Sequence, residues 1–264
     1  YSEGVKTAYP QGVQAKEIIL PKELLEQDCV ISLSKMKTHA LERITGAVKN
    51  SYGFVYGFHK AKGHTQYPSA DSFARMLIDL NKCVAPKLYV MDGIVAMEGN
   101  GPGSGDPVPM NVLLMSTDPV ALDSVFSRLV YLKPEMVPTN YHGEKMGLGT
   151  WKEEEITLLT PDGEISMAEA VKKYGNPAFN VDRTEVRKNI WTRMAGALNI
   201  FQKKPYIEAD KCVRCGICVQ SCPVPGKAVD FRKGKGKPPV YDYRKCIRCF
   251  CCQEMCPKKA IKVK

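Results

Sequence analysis

Two stretches of this chain, KCVRCGICVQSCP at residues 211–223 and KCIRCFCCQEMCP at 245–257, carry the same run of cysteines. Cys212, Cys215, Cys218 and Cys222 are separated by two, two and three residues and followed by Pro223. Cys246, Cys249, Cys252 and Cys256 repeat that spacing before Pro257. The flanks repeat as well, GKAVDF after the first run and KKAIKV after the second, so the tail is an internal duplication.

The spacing selects the chemistry. In such runs three cysteines two residues apart curl round one iron-sulfur cube, while the fourth points away and reaches a neighbouring cube. Two runs therefore predict two crossed 4Fe-4S sites, one held by Cys212, Cys215, Cys218 and Cys256, the other by Cys246, Cys249, Cys252 and Cys222. Structural zinc, held by two pairs of ligands with a longer gap, gives no reason for a third cysteine after each pair. Disulfide staples are the weaker rival, because the other two isolated cysteines, Cys29 and Cys83, lie in apolar runs where core packing is expected, and no signal peptide precedes them. Cys251, the odd thiol of the second run, is read as a spectator packed in a small core. A replacement ligand or a tuner of potential is the sharper alternative for it.

Residues 205–264 resemble the bacterial two-cluster ferredoxins, both cysteine runs being complete. The resemblance implies two short pseudo-symmetric βαβ-like halves around the clusters, with one-electron transfer as the activity.

Charge is unevenly placed. The whole chain carries a formal +10, yet residues 203–264 alone hold 16 Lys and Arg against 5 Asp and Glu. Much of this charge lies in FRKGKGKPPVYDYRK, residues 231–245, between the two runs. A cationic surface steers anionic partners, and an acidic redox protein fits better than nucleic acid because no nucleic-acid-binding motif is present and aromatics are few. No apolar run approaches the length needed to cross a bilayer, and cluster-binding thiolates suit a reducing cytoplasm. The chain opens on Tyr1 in mid-phrase and is read as beginning inside a longer natural sequence.

The first 180 residues alternate strand-like and helix-like segments. DCVISLS, KLYVMD, NVLLMS and EITLLT read as strands. SADSFARMLIDLNKCV spaces Phe73, Met76, Leu77, Leu80 and Val84 as one helical face behind an N-cap serine. DPVALDSVFSRLVYL opens on an aspartate cap with proline at the first turn, and ERITGAVKNSYG suggests a helix ending in glycine. This alternation predicts an α/β fold: a largely parallel sheet with flanking helices, followed by the small α+β ferredoxin-like module. The expected boundaries are 1–180, a helical linker over 181–204, and 205–264. In the linker, Trp191, Met194, Leu198 and Phe201 are candidates for packing the two domains together.

In a parallel sheet the segments after the strands share one rim, where open α/β folds bind ligands. Here those segments bring Lys35, Lys37 and His39, then Asp92, then Asp123, with Lys49 and Asn50 on the helix after the first. Lys35, Lys37, His39, Lys49, Asp92 and Asp123 are the candidate polar site. A solvated strand exit, and for Asp118 a helix cap, are the plainer readings. Gly99, Gly101, Gly103 and Gly105 form a candidate anion loop, since glycines let backbone N–H groups face an anion. The loop has neither a Walker pattern nor a dinucleotide fingerprint. SYGFVYGFHKAKGHTQYP, with His59 and His64, looks like an ordered loop or lid, and its histidines make only a loose metal pattern.

SKMKTHALERITGAVKNSYG, MDGIVAMEGNGPGSGDP, STDPVALD and CIRCFCCQEMCP together resemble the DUF362 family, whose members often carry a carboxyl-terminal ferredoxin-like module. The resemblance implies an α/β domain of unestablished function and an earlier strand-and-helix segment. The combined expectation is an oxidoreductase or redox accessory protein whose ferredoxin module passes electrons to a ligand on the α/β domain. The alternative is a non-catalytic electron carrier or assembly factor whose α/β domain binds a partner or a small anion. No flavin, nicotinamide or molybdenum signature accompanies the cysteines.

Overall fold

The computed structural model describes residues 3–57, 59–185 and 203–264. Strands β1 (Gly4–Ala8) and β2 (Glu17–Pro21) form an antiparallel hairpin followed by the short helix α1 (Lys22–Leu25). The central sheet contains β3 (Ile31–His39), β4 (Arg43–Thr45), β5 (Leu88–Glu98) and β6 (Asp106–Ser116), in the order β4-β3-β5-β6. Between them lie α2 (Ala47–Asn50), a 3-10 turn at Ser51–Phe54, α3 (His59–Gln66) and α4 (Ala70–Val84). Helices α5 (Pro119–Leu129), α6 (Pro138–Lys145) and α7 (Met167–Tyr174), with the hairpin β7 (Leu158–Thr160) and β8 (Gly163–Ile165), complete the α/β domain.

The mixed α/β class with flanking helices is as expected, but the pairing within the sheet corrects the reading of it as largely parallel. Only β3 and β5 run parallel, while β4 is antiparallel to β3 and β6 to β5. The reason is strand length. KMKTH continues β3 and GIVAME continues β5, so the glycine segment is the tip of an antiparallel β5–β6 hairpin. Ser116 at the end of β6 pairs with Tyr89 near the start of β5, which places Asp118 and Asp123 at the other end of the sheet from His39 and Gly99.

One face of the sheet builds the core. Met36, Tyr89, Met91 and Val112 point at Leu122, Phe126 and Leu129 of α5, with Ile44 and Phe179 closing the layer. Strand alternation puts Ile31, Leu33, Leu113 and Met115 on the other face, each at least half exposed, with no layer over them among the described residues. Helix α4 buries Phe73, Met76, Leu77 and Leu80 in a second core, behind a capping box in which Ser69 and Ser72 satisfy each other's backbone donors. The cysteine outside the tail expected in the first strand's core is corrected: Cys29 precedes β3 and is exposed, whereas Cys83 is half-buried on α4.

The tail folds as two matching halves. β9 (Pro205–Ile207), α8 (Ile217–Gln220) and β10 (Val229–Asp230) are followed by β11 (Val240–Tyr241), α9 (Cys251–Glu254) and β12 (Ile261–Val263). β9 pairs with β12 and β10 with β11, so the first strand closes on the last. The duplication extends to the backbone: Arg214 and Arg248, Gly216 and Phe250, and Lys227 and Lys259 all adopt positive φ at matching places. Residues 186–202, including Trp191, Met194, Leu198 and Phe201, lie outside the described residues.

Candidate functional site: two thiol-lined cavities docked on a buried polar cluster

Each half of the tail encloses a cavity. Cys212, Cys215, Cys218 and Cys256 line the first, of about 360 Å³. Cys222, Cys246, Cys249 and Cys252 line the second, of about 290 Å³. The fourth thiol of each run thus faces the other run's cavity. Among the described residues no three His, Cys, Asp or Glu side chains converge to hold a single metal ion. Thiols spread round a cavity wall instead suit a polynuclear cube, each corner needing its own ligand. The chemistry of the surroundings fits the same group. Ala228 N–H donates to Cys222 Sγ at 3.3 Å, Ala260 N–H donates to Cys256 Sγ at 3.3 Å, and Tyr241 O–H donates to Cys252 Sγ at 3.0 Å. Such donors stabilise sulfur that carries negative charge. Cys251 is buried and its thiol shares a hydrogen bond with Cys249, but it lines neither cavity.

The second half docks on the α/β domain through the helix that follows Phe250. Gln253, fully buried, donates from Nε2 to Asn100 O at 2.7 Å and Gly101 O at 3.0 Å. Asn100 Nδ2 donates to Ile261 O at 3.0 Å, and Lys259 Nζ to Gly105 O at 3.1 Å. The glycine hairpin is therefore a docking surface. A Cβ on Gly103 would lie 2.8 Å from Glu254 O, and one on Gly101 would overlap Thr38. These glycines allow close backbone approach to the module.

His39 joins the two domains. Its Nδ1 accepts N–H groups from Leu41 and Glu42, both at 3.1 Å, so Nε2 carries the proton and donates to Glu254 Oε1 at 3.1 Å. Burial, with the Lys49 cation nearby, lowers the His39 pKa to about 4 and leaves the ring neutral. Burial would raise the Glu254 carboxyl, but Lys49 and His39 hold it well below the usual carboxylate range. Lys49 is thus the buried counter-charge beside the second cysteine run. Lys37 is pushed down by burial and by Lys49, and Glu42 is pushed up by burial, with neither oxygen hydrogen-bonded to a described residue.

The six candidate polar residues split into three places. Lys37, His39 and Lys49 meet at the domain junction. Lys35 instead pairs with Asp92 at 2.6 Å on the exposed sheet face. Asp123 is fully buried at the far end, accepting from Ala47 N–H at 2.5 Å and Val48 N–H at 3.1 Å, and burial raises its pKa to about 7 despite those donors. It caps α2, and a Cβ on Gly46 would overlap its carboxylate. Of the two histidines in the aromatic segment, His64 stacks on Phe73 at 4.6 Å, while His59 lines a groove with Tyr52 and Tyr67.

Beside the docking contacts a groove of about 810 Å³ is lined by both domains. Thr38, His39, Arg43, Gly99, Gly101 and Asn180 come from the α/β side, Lys203 and Val263 from the module side. Sequence reasoning missed Glu254, Gln253, Asn100 and Tyr241. A signal for the first two was present in the duplication: Cys218-Val-Gln-Ser-Cys222 corresponds to Cys252-Gln-Glu-Met-Cys256, and the polar pair that differs is the pair that docks.

A four-cysteine cavity repeated in two matching halves is the arrangement of a ferredoxin-like 4Fe-4S-binding module, joined here to an α/β domain. Comparison with known proteins gives each part its family. Residues 204–257 match the 4Fe-4S dicluster domain, and residues 2–128 match DUF362, a domain of unknown function. The chain thus carries a DUF362 domain followed by a 4Fe-4S dicluster domain. Over 130 residues it is 42% identical to a thylakoid-associated protein of Synechocystis sp., a match covering 49% of this chain and 40% of that protein. No solved structure matches the chain. No described helix is long and apolar enough to cross a membrane.

Proposed function

We propose that the protein is a redox accessory protein or oxidoreductase in which Cys212, Cys215, Cys218 and Cys256 hold one 4Fe-4S cluster and Cys246, Cys249, Cys252 and Cys222 the other. Such clusters supply one-electron transfer when bound. The α/β domain contributes a ligand site in the groove at the junction. The observation that carries this reading is the docking itself: the helix that bears Cys252 also bears Gln253 and Glu254, which bind the Gly101 hairpin and His39. The groove beside them offers N–H and cationic groups to a small polar or anionic ligand, with Arg43 and Lys203 at its wall and Asp182 paired to both.

Lys49 and neutral His39 then serve the junction by balancing and orienting the Glu254 carboxylate. A reducing, cytoplasmic setting suits the thiolate ligands. Thylakoid association, the property carried in the relative's name, is compatible with this reading and needs no membrane span.

The test is an anaerobic native mass spectrum of the protein isolated without added cofactors. Two 4Fe-4S masses plus a further bound species support the reading, and Arg43→Ala should release that species while both clusters remain. Two clusters alone would refute the ligand site and leave a plain electron carrier. Retention of all iron in Cys212→Ala and Cys246→Ala variants would overturn the ligand assignment.

A further inference from the structure

The two cavities differ in what surrounds them. The second is turned inward, with Cys222, Cys249 and Cys252 buried and Phe250 and Tyr241 in its wall. The first is turned outward: Cys215 is exposed, and Val213 beside it is 56% exposed. The difference traces to one matched position. Helix α8 starts from Gly216 and α9 from Phe250, both at positive φ. That conformation costs glycine nothing and strains a phenylalanine, yet Phe250 is buried and lines the second cavity. At Gly216 only Phe231, from the β10–β11 loop, stands within contact distance of where a side chain would begin.

Exposed cations flank the Cys215 edge, and Arg214 and Lys258 line the cavity itself. Lys211, Arg214 and Lys258 are exposed, and the β10–β11 loop adds exposed Lys233, Lys235 and Lys237. The loop is tied to the cavity at both ends, since Phe231 packs at Gly216 and Pro239 lines the wall. Lys211 pairs with Glu208 at 2.7 Å, while the other five form no ion pair with a described residue. An exposed apolar centre inside a charged rim is the anatomy of a protein-docking face.

We propose that this face, from Val213 to the Lys233–Lys237 loop, docks an acidic electron-carrier protein over the exposed Cys215 edge of the first cavity. This rests on the reading of the tail as a two-cluster electron-transfer module. Unpaired cations at the rim steer such a carrier and orient it, and Val213 with the exposed edge of Cys215 sets the closest approach. Nucleic acid fits less well because the nearby aromatics are already engaged. Tyr241 and Tyr243 stack on each other at 5.6 Å, their hydroxyls donate to Cys252 Sγ and Pro205 O, and Phe231 packs on Gly216.

The test measures binding on the full, cluster-loaded protein, with an acidic flavodoxin as the probe carrier. Calorimetry at two salt concentrations compares the wild type, a Lys233→Gln, Lys235→Gln, Lys237→Gln variant, and a control with Lys87, Lys172 and Lys173 changed to Gln on the α/β domain. The loop variant is expected to bind about tenfold more weakly, with a shallower salt dependence, and the control to match the wild type. Visible absorbance confirms that the loop variant keeps its clusters, as expected for side chains outside the cavity walls. Equal binding by the wild type and the loop variant, or no binding by either, overturns the proposal. So does tighter binding of a 20-base-pair duplex or of phosphatidylglycerol vesicles that the loop variant abolishes. None of these outcomes bears on the bound species sought at the domain junction, so the two readings fail separately.

Discussion

Gln253 is where the two domains are held most directly, and its replacement by leucine is the sharpest test of that docking. The side chain is fully buried and its amide donates to two carbonyls of the glycine hairpin, at 2.7 and 3.0 Å. Leucine keeps most of the volume but leaves both carbonyls without that donor. At about 1–2 kcal/mol for each acceptor left unpaired, the docked state loses about 2–4 kcal/mol. That corresponds to roughly a 30- to 700-fold shift toward the undocked form. Gln253 Oε1 has no hydrogen-bond partner among the described residues, so relief of that unpaired atom pulls the cost toward the lower figure. The assay is amide hydrogen exchange under anaerobic conditions with the clusters loaded. Gly101 N–H, which now donates to Gly99 O and Thr38 Oγ1, should exchange faster, as should the backbone of 253–256. Unchanged exchange at Gly101 with full iron content would refute the claim that this amide holds the module in place.

Other perturbations separate the remaining roles. Cys251→Ala should keep full iron content, and loss of a cluster on chemical iron analysis would promote this thiol to a ligand. Tyr241→Phe removes the donor to Cys252 Sγ, so the potential of one cluster should fall in an EPR-monitored redox titration while the other stays fixed. Asp123 has a folded-state pKa raised to about 7, so its contribution to stability is fully present below about pH 4 and is lost as pH rises through 7. That contribution is on the order of 4 kcal/mol, and Asp123→Asn should flatten the denaturation midpoint between pH 4 and 7. Ser69→Ala should cost about 1 kcal/mol in chemical denaturation, because it removes the acceptor for Ser72 N–H at the start of α4.

Local signals read well where local physics decides. The Ser69 cap and the apolar face of α4 needed only helical periodicity, and Asp118 with Pro119 marked the start of α5. The duplicated cysteine spacing already grouped the thiols that line each cavity. Strand direction was not legible, because KMKTH and GIVAME look polar or mixed to a periodicity argument yet extend β3 and β5 through the junction. Once β6 turned back, Asp123 fell at the far end of the sheet and the supposed single rim came apart. Lys35 and Lys37, two residues apart, end in different surroundings because the β3–β5 register shifts between them. Nor did the glycines announce their neighbour: glycine for an anion and glycine for a close-packed backbone leave the same letters, and only Glu254 beside Gly103 distinguishes them.

The closure of the tail makes its two halves mutually dependent. β9 pairs with β12, and the last thiol of each run faces the other run's cavity, so neither half is complete by itself. A half cut free would keep three thiols for its own cavity and present a fourth to empty space. It would also lose its partner strand. The missing parts are supplied by an identical half turned through a twofold axis. By symmetry, such a half would be completed by a second copy of itself, the isologous arrangement of a twofold dimer. Joined in one chain, the halves need not be identical: the first has Gly216 and an exposed Cys215, the second Phe250 and the docking pair Gln253 and Glu254.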